Sequence, residues 1–364
     1  MSELKAVPHP GEILLSEITR IGMKQKELAI RTEVTDKHIS TVINGSKDIS
    51  ASFARKLDIA LGAPNGTWAK YQSDYDQYKI RYNEENDISD DEFKAFRDMK
   101  GIVDYFLTRG IMTNHCGDSE KIIQLREILC VNKLTLIPKI TYNAAYRAQI
   151  NKNTSVNAFV LFAWQRLCEL ETQEQIKNLT VPFDPVKLKI HLPDIIKLAS
   201  EKRANVMLEG LQNIFAECGV AFKVVHHFKG APVQGFIKSV DGGKVILCLT
   251  LRGKKADRFW FTLAHECGHL CNGDCDVRFV DFDSVKSDME ERADSFARDA
   301  LIPETPYKKF VDEHRYNSES GIDRFAVSIG VPWWIVVGRL HNDGWLEWNT
   351  YSRAIPSYEW VNDT

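Results

Sequence analysis

The sequence predicts an α+β fold whose helical part comes first, and three observations carry that expectation. Residues 8 to about 80 show short helical patterns broken by glycine and asparagine, and helix-compatible periodicity then dominates 89–214. Near residue 219 the texture changes to β-rich runs, with 236–240 and 244–249 alternating on either side of Asp241-Gly242-Gly243, a strong hairpin signal. Two further helices are expected at 257–271 and 287–301. The expected organisation is an all-α domain over 8–82, a helical connector over 89–214, a mixed domain with a small sheet over 215–310, and a helical tail over 320–364 packed on it.

Taken in order, the elements have local reasons. Ser89 with Glu92 three residues on is a capping-box signature for one connector helix. The acidic stretch 83–91 is the best candidate boundary before it. Residues 159–170 mix apolar and aromatic side chains at helical spacing, which reads as core. Residues 220–226 read as a strand, and His226-His227 at its end point to opposite sides, so one could face a cleft as an oxyanion stabiliser. The 236–249 hairpin could present an edge strand to an extended peptide.

The chain has 364 residues, 27% charged and 44% hydrophobic, ordinary for a globular protein with two or three cores. The 47 Lys and Arg nearly balance 50 Asp and Glu, which excludes a nucleic-acid protein held mainly by bulk positive charge. A DNA-binding module still fits, because only its contact face must be basic. Residues 1–10 hold no apolar core or cleavage signal, and the apolar runs 159–164 and 331–337 are too short to span a bilayer. Eight scattered cysteines read as reduced thiols. A cytoplasmic protein with no membrane partner is expected.

The most informative residues are His265-Glu266-Cys267-Gly268-His269. Histidines at i and i+4 share a helix face, so both imidazoles can reach one cation. Glu266 beside them can act as general base toward the attacking water. Asn272-Gly273 supplies a helix stop and Gly268 allows close backbone approach. A third ligand should come from another element, and the helix from 287 offers one face carrying Glu290, Ala293, Asp294 and Ala297. Two carboxylates among alanines are costly to bury without a cation. Glu290 is therefore the candidate ligand, and Asp294 could orient a ligating histidine through its other ring nitrogen. Glu291 shares the solvent side with Arg292, Ser295 and Arg298. The competing reading is that Ser287 caps this helix and Glu290 completes a capping box. Cys267, Cys271 and Cys275 read as small buried or loop thiols.

Residues 258–269, with 290–297 and Leu301-Ile302-Pro303, resemble the ImmA/IrrE family of metallopeptidase-like domains. The resemblance covers roughly 215–345 and implies a zincin-like, gluzincin fold with zinc on His265, His269 and Glu290. Cys267 stands where the family usually has leucine, a core change that leaves the ligands untouched.

Residues 24–45 have helix-turn-helix spacing: a first helix over 24–31, a turn at Thr32-Glu33-Val34, and a second helix from Asp36 to Asn44 capped by Thr35. Ile39, Val42 and Ile43 would face inward. Lys37, His38, Ser40, Thr41 and Asn44 would face outward, toward base edges and phosphates, with Gln25 placed to hold a backbone phosphate. His9-Pro10-Gly11-Glu12-Ile13-Leu14, 22–29, and Ile43-Asn44-Gly45 resemble HigA-type antitoxins with a lambda-repressor-like domain. Where that family's turn usually carries glycine this chain has Glu33, and a glutamate at positive φ is strained. Residues 24–47 hold five Lys and Arg against three Asp and Glu, a modest patch, and a module retained for protein contacts is the alternative.

Together these readings describe a regulator that binds a double-stranded DNA operator and carries a zinc endopeptidase acting on a protein such as a repressor. The alternative is a HigA-like antitoxin that represses its own operon and neutralises a RelE-like toxin by binding, its peptidase-like domain being structural or sensory. Helix-turn-helix proteins commonly bind as dimers, so a homodimer is expected.

Overall fold

A computed structural model describes residues 7–140, 156–274, 279–282 and 288–360. The chain divides into two compact units, Met1–Phe96 with Phe106–Asn132, and Arg97–Tyr105 with Lys133–Thr364. No described helix is long and apolar enough to cross a membrane.

The N-terminal part runs through α1 (Pro10–Arg20), α2 (Gln25–Arg31), α3 (Asp36–Ile43), α4 (Ala51–Leu61), α5 (Thr67–Asn86), α6 (Asp90–Asp98), α7 (Lys100–Thr108), most of which belongs to the second unit, and α8 (Asp118–Leu129). Leu14, Leu28, Ile39, Val42, Phe53, Leu57 and Trp68 form one core beneath α1 to α5. Side-chain caps set where these helices begin. Thr35 accepts from the His38 N–H at 3.2 Å and Ser50 from that of Phe53 at 3.3 Å. At α5 the capping residue is Gly66, so the buried Asp58 does the work from outside, accepting from the N–H groups of Gly66 (2.8 Å) and Trp68 (3.2 Å). Between α2 and α3, Glu33 takes the left-handed conformation expected of a glycine, with φ 51°.

The expected capping box at Ser89 is half made. Ser89 Oγ accepts from the Glu92 N–H at 3.4 Å. The Glu92 carboxylate is fully buried and takes two hydrogen bonds from Arg126 of α8, at 3.0 and 2.6 Å. A charge-assisted bidentate pair in a buried site outbids a cap on an exposed turn.

The C-terminal part contains α9 (Ala158–Asn178), α10 (Pro185–Lys197) and α11 (Ala204–Glu217), then β1 (Val220–Val225), β2 (Val233–Val240) and β3 (Lys244–Thr250). There follow α12 (Ala256–Asn272), β4 (Phe279–Phe282), α13 (Asp288–Leu301), α14 (Glu304–Asp312), α15 (Glu319–Ile329) and α16 (Trp333–Asn342). The sheet order is β1-β3-β2-β4, with β1 parallel to β3 and the other pairs antiparallel. Asp241-Gly242-Gly243 turns β2 into β3, and Gly242 and Gly243 both have positive φ, as the sequence pattern requires.

Alternation along the strands divides the sheet between two packing layers. Val220, Phe222, Val224, Ile237, Leu247 and Leu249 share a core with α11, α12 and the C-terminal helices. From the other face Phe236 meets Trp164 of α9, ring centroids 5.9 Å apart. The hairpin is not the sheet edge that its sequence suggested. β4 pairs along β2 (Val233↔Phe282, Phe236↔Val280, Ile237↔Phe279), leaving β1 and β4 outermost among the described strands.

Candidate metal centre

The core of the site is α12. Phe259, Trp260, Leu263, Ala264, Cys267, Leu270 and Cys271 bury one broad face of it, and burial of that face, more than helix propensity, stabilises it. Gly273, at φ 82°, ends the helix, its N–H capping the carbonyls of His269 and Leu270. A Cβ on Gly268 would lie 3.1 Å from the Cα of Ala293, so the glycine is what allows α13 to approach this closely.

That approach brings His265, His269 and Glu290 together, with one donor atom of each within 4.8 Å of the others. The two Nε2 atoms are 3.0 Å apart, and Glu290 Oε2 lies 3.1 Å from His265 Nε2 and 3.6 Å from that of His269. Two ligands each about 2.0–2.1 Å from a tetrahedral centre lie about 3.3 Å apart, so these separations and the two-nitrogen, one-oxygen donor set fit zinc. Glu291 is exposed. The competing role for Glu290 involves Ser287, which lies outside the described residues.

The acidic and imidazole groups of the site shift one another's ionisation. Burial opposes ionisation of Glu290, but the hydrogen-bonded His265 and the nearby His269 outweigh it and hold its carboxyl down, at about 2. For His269 burial works against the charged form, yet Glu290, Glu266 and Asp274 together raise its pKa. Asp294 Oδ1 lies 2.8 Å from Nδ1 of His265, and its side chain is largely exposed.

Glu266 is fully buried. Gly235 on β2 makes room for it: a Cβ there would lie 1.8 Å from Glu266 Oε1. Thr262 Oγ1 donates to Gln234 Oε1 at 2.9 Å, tying the same stretch of β2 to α12. Sequence reading missed Gly235, though a glycine inside a strand is itself a signal of close approach. It also missed Asp274, which accepts from Nδ1 of His269 at 2.9 Å.

Cys267 and Cys271 are buried on the core side of α12. Burial pushes the Cys267 thiol well above its ordinary range and that of Cys271 up to about 11, so neither offers a ready thiolate. Cys275 lies outside the described residues. His226 is packed against Trp360 and Tyr105, centroids 4.0 and 5.1 Å away. His227 lines a cavity of about 690 Å³ with Arg252 and Lys229. Neither histidine belongs to the donor cluster.

In the N-terminal unit, Lys37 and Asn44 are exposed on α3, Ser40 and Thr41 are half-buried beside them, and Gln25 is half-buried at the start of α2. His38 differs from its outward-facing expectation. Its ring packs edge-on against Phe53 at 4.8 Å, with Lys47 Nζ 3.3 Å from its Nδ1. Burial, then the Lys47 charge, lower its pKa.

Residues 232–341 match the family model of Peptidase_M78, described as the IrrE N-terminal-like domain. The C-terminal unit carries a domain of this family. The Peptidase_M78 match begins just before β2 and ends within α16, so it contains Gly235, both histidines, Glu290 and Asp294. The N-terminal region is similar to virulence-associated protein A' of Dichelobacter nodosus, with 35% identity over 78 residues, 21% of this chain and 68% of that protein. Through this region the chain belongs to that protein's family. A solved structure from Nostoc punctiforme, described as an antidote protein of a plasmid maintenance system, is 28% identical and covers 22% of this chain and 88% of its own, with a TM-score of 0.20.

Proposed function

We propose that this chain is a DNA-binding transcriptional regulator whose Peptidase_M78 domain is a zinc-dependent endopeptidase acting on a protein such as a repressor. One observation carries the reading: the buried carboxylate of Glu266 sits on the same helix as two donors of a converging His265, His269 and Glu290 set, in a space that Gly235 leaves open. Burying a carboxylate costs free energy, and a cation held by the neighbouring donors would offset part of that cost.

Zinc held by His265, His269 and Glu290 would polarise the scissile carbonyl and lower the pKa of the attacking water. Glu266 accepts a proton from that water and delivers it to the leaving amine. Asp294 keeps the Nδ1 proton of His265 engaged, so that its Nε2 lone pair faces the centre. The operator is a double-stranded DNA read by α3 through Lys37, Ser40, Thr41 and Asn44, with Gln25 on a phosphate and the chain acting as a homodimer in the cytoplasm.

Glu266→Gln tests this. The variant should keep its zinc, fold and operator binding but lose about 10²- to 10⁴-fold in cleavage rate. In cells it should fail to relieve repression in a promoter-reporter assay. Unchanged reporter output and unchanged rescue from a RelE-like toxin, at unchanged zinc content, would reject catalysis and favour the antitoxin.

A further inference from the structure

We infer that Asp274 is the positioning residue for His269, and that it makes His269 the more firmly held of the two histidines; this rests on the zinc reading of the site. The placement follows from the end of α12. Gly273 turns the chain through a left-handed conformation (φ 82°), and the next residue folds back onto the ring of the histidine one turn earlier. Nδ1 of His269 lies 2.9 Å from Asp274 Oδ2. A carboxylate oxygen accepts, so Asp274 holds a proton on Nδ1, and with a metal bound it is Nε2, on the side of Glu290 and His265, that presents its lone pair to it.

The two histidines have the same kind of partner in different surroundings. The Asp274 side chain is 8% exposed, whereas that of Asp294, on His265, is 57% exposed. Water competes for the second bond and screens its charge; the first is protected from both. Asp274 Oδ1 also lies 3.7 Å from Arg292, which stands two residues beyond Glu290 on α13. Asp274 thus links the end of the helix that carries both histidines to the helix that carries the third donor. Losing such an outer partner typically costs about 10- to 100-fold in metal affinity. The larger loss should fall on Asp274 and the smaller on Asp294.

The test uses the full chain and two readouts. Zinc affinity is measured by chelator competition for the wild type, Asp274→Ala, Asp274→Asn and Asp294→Ala. The tautomer of His269 is read from ¹⁵N imidazole shifts in the metal-free proteins at alkaline pH. We expect Asp274→Ala to lose roughly tenfold or more in affinity and to release His269 from the Nδ1–H form. Asp274→Asn, whose carbonyl can still accept, should keep that tautomer and lose less, which separates positioning from misfolding. An Asp294→Ala loss equal to or larger than that of Asp274→Ala would overturn the inference, as would an unchanged His269 tautomer in Asp274→Ala. A wild-type chain that takes up no zinc would instead overturn the metal reading, and the tautomer would still report whether Asp274 holds the ring.

Discussion

Gly235→Ala should disturb one atom group above all others. The added methyl would fall 1.8 Å from Glu266 Oε1 and 2.3 Å from its Cδ, distances no structure tolerates, so the carboxylate must move by an ångström or more. The backbone at Gly235 is not in the left-handed region, so alanine itself fits the strand. Overpacking a buried site costs about 1–3 kcal/mol. Because the carboxylate is the flexible end of its side chain, the cost should sit near 1 kcal/mol, or roughly 2–4 °C in Tm for a domain of this size. The functional cost should be larger, since a misplacement of about 1 Å can lower a rate by 10²-fold. A double-mutant cycle isolates the cause. In a Glu266→Ala background the space is free, and Gly235→Ala should be neutral or stabilising by about 0.5–1 kcal/mol. Urea unfolding of the four proteins gives a coupling energy without any substrate. Additivity within about 0.5 kcal/mol would show that Gly235 does not accommodate Glu266 and would refute the geometry.

Further outcomes follow from the same physical reasoning. The purified chain should bind about one zinc; His265→Ala and Glu290→Ala should lower that stoichiometry and Glu291→Ala should not, so equal losses from both glutamate variants in a metal assay would displace Glu290 as the third donor. Asn44→Ala or Thr41→Ala should weaken operator binding selectively, by about 1–3 kcal/mol per lost base contact, while Gln25→Ala should weaken binding to all sequences alike; a gel-shift series insensitive to both α3 substitutions would assign this face to protein contacts. Arg126→Ala strips its guanidinium partner from the buried Glu92 and should cost about 3–5 kcal/mol, measured by chemical denaturation; a loss under about 1 kcal/mol would mean that the pair behaves as a surface bridge.

Much of this protein was legible in the sequence because it depends on separations of a few residues. The i, i+4 spacing puts His265 and His269 on one face of α12, the same spacing puts Glu290 and Asp294 on one face of α13, and Gly273 ends the first helix. The Asp-Gly turn between β2 and β3, the Thr35 cap and the left-handed residue at Glu33 are equally local. Tertiary structure decided what distant segments do to one another. β4 covers the flank of β2, so the hairpin is interior. Arg126, 34 residues away, takes the Glu92 carboxylate from its cap. Phe53 draws in the ring of His38. The space for Glu266 is a missing side chain on a strand about 30 residues earlier in the chain, and Asp274 reaches His269 only because the helix stops where it does. Local periodicity carries no information about such pairings: whether a buried charge or ring finds its partner depends on which surfaces pack together, and the free energy of that packing belongs to the whole fold.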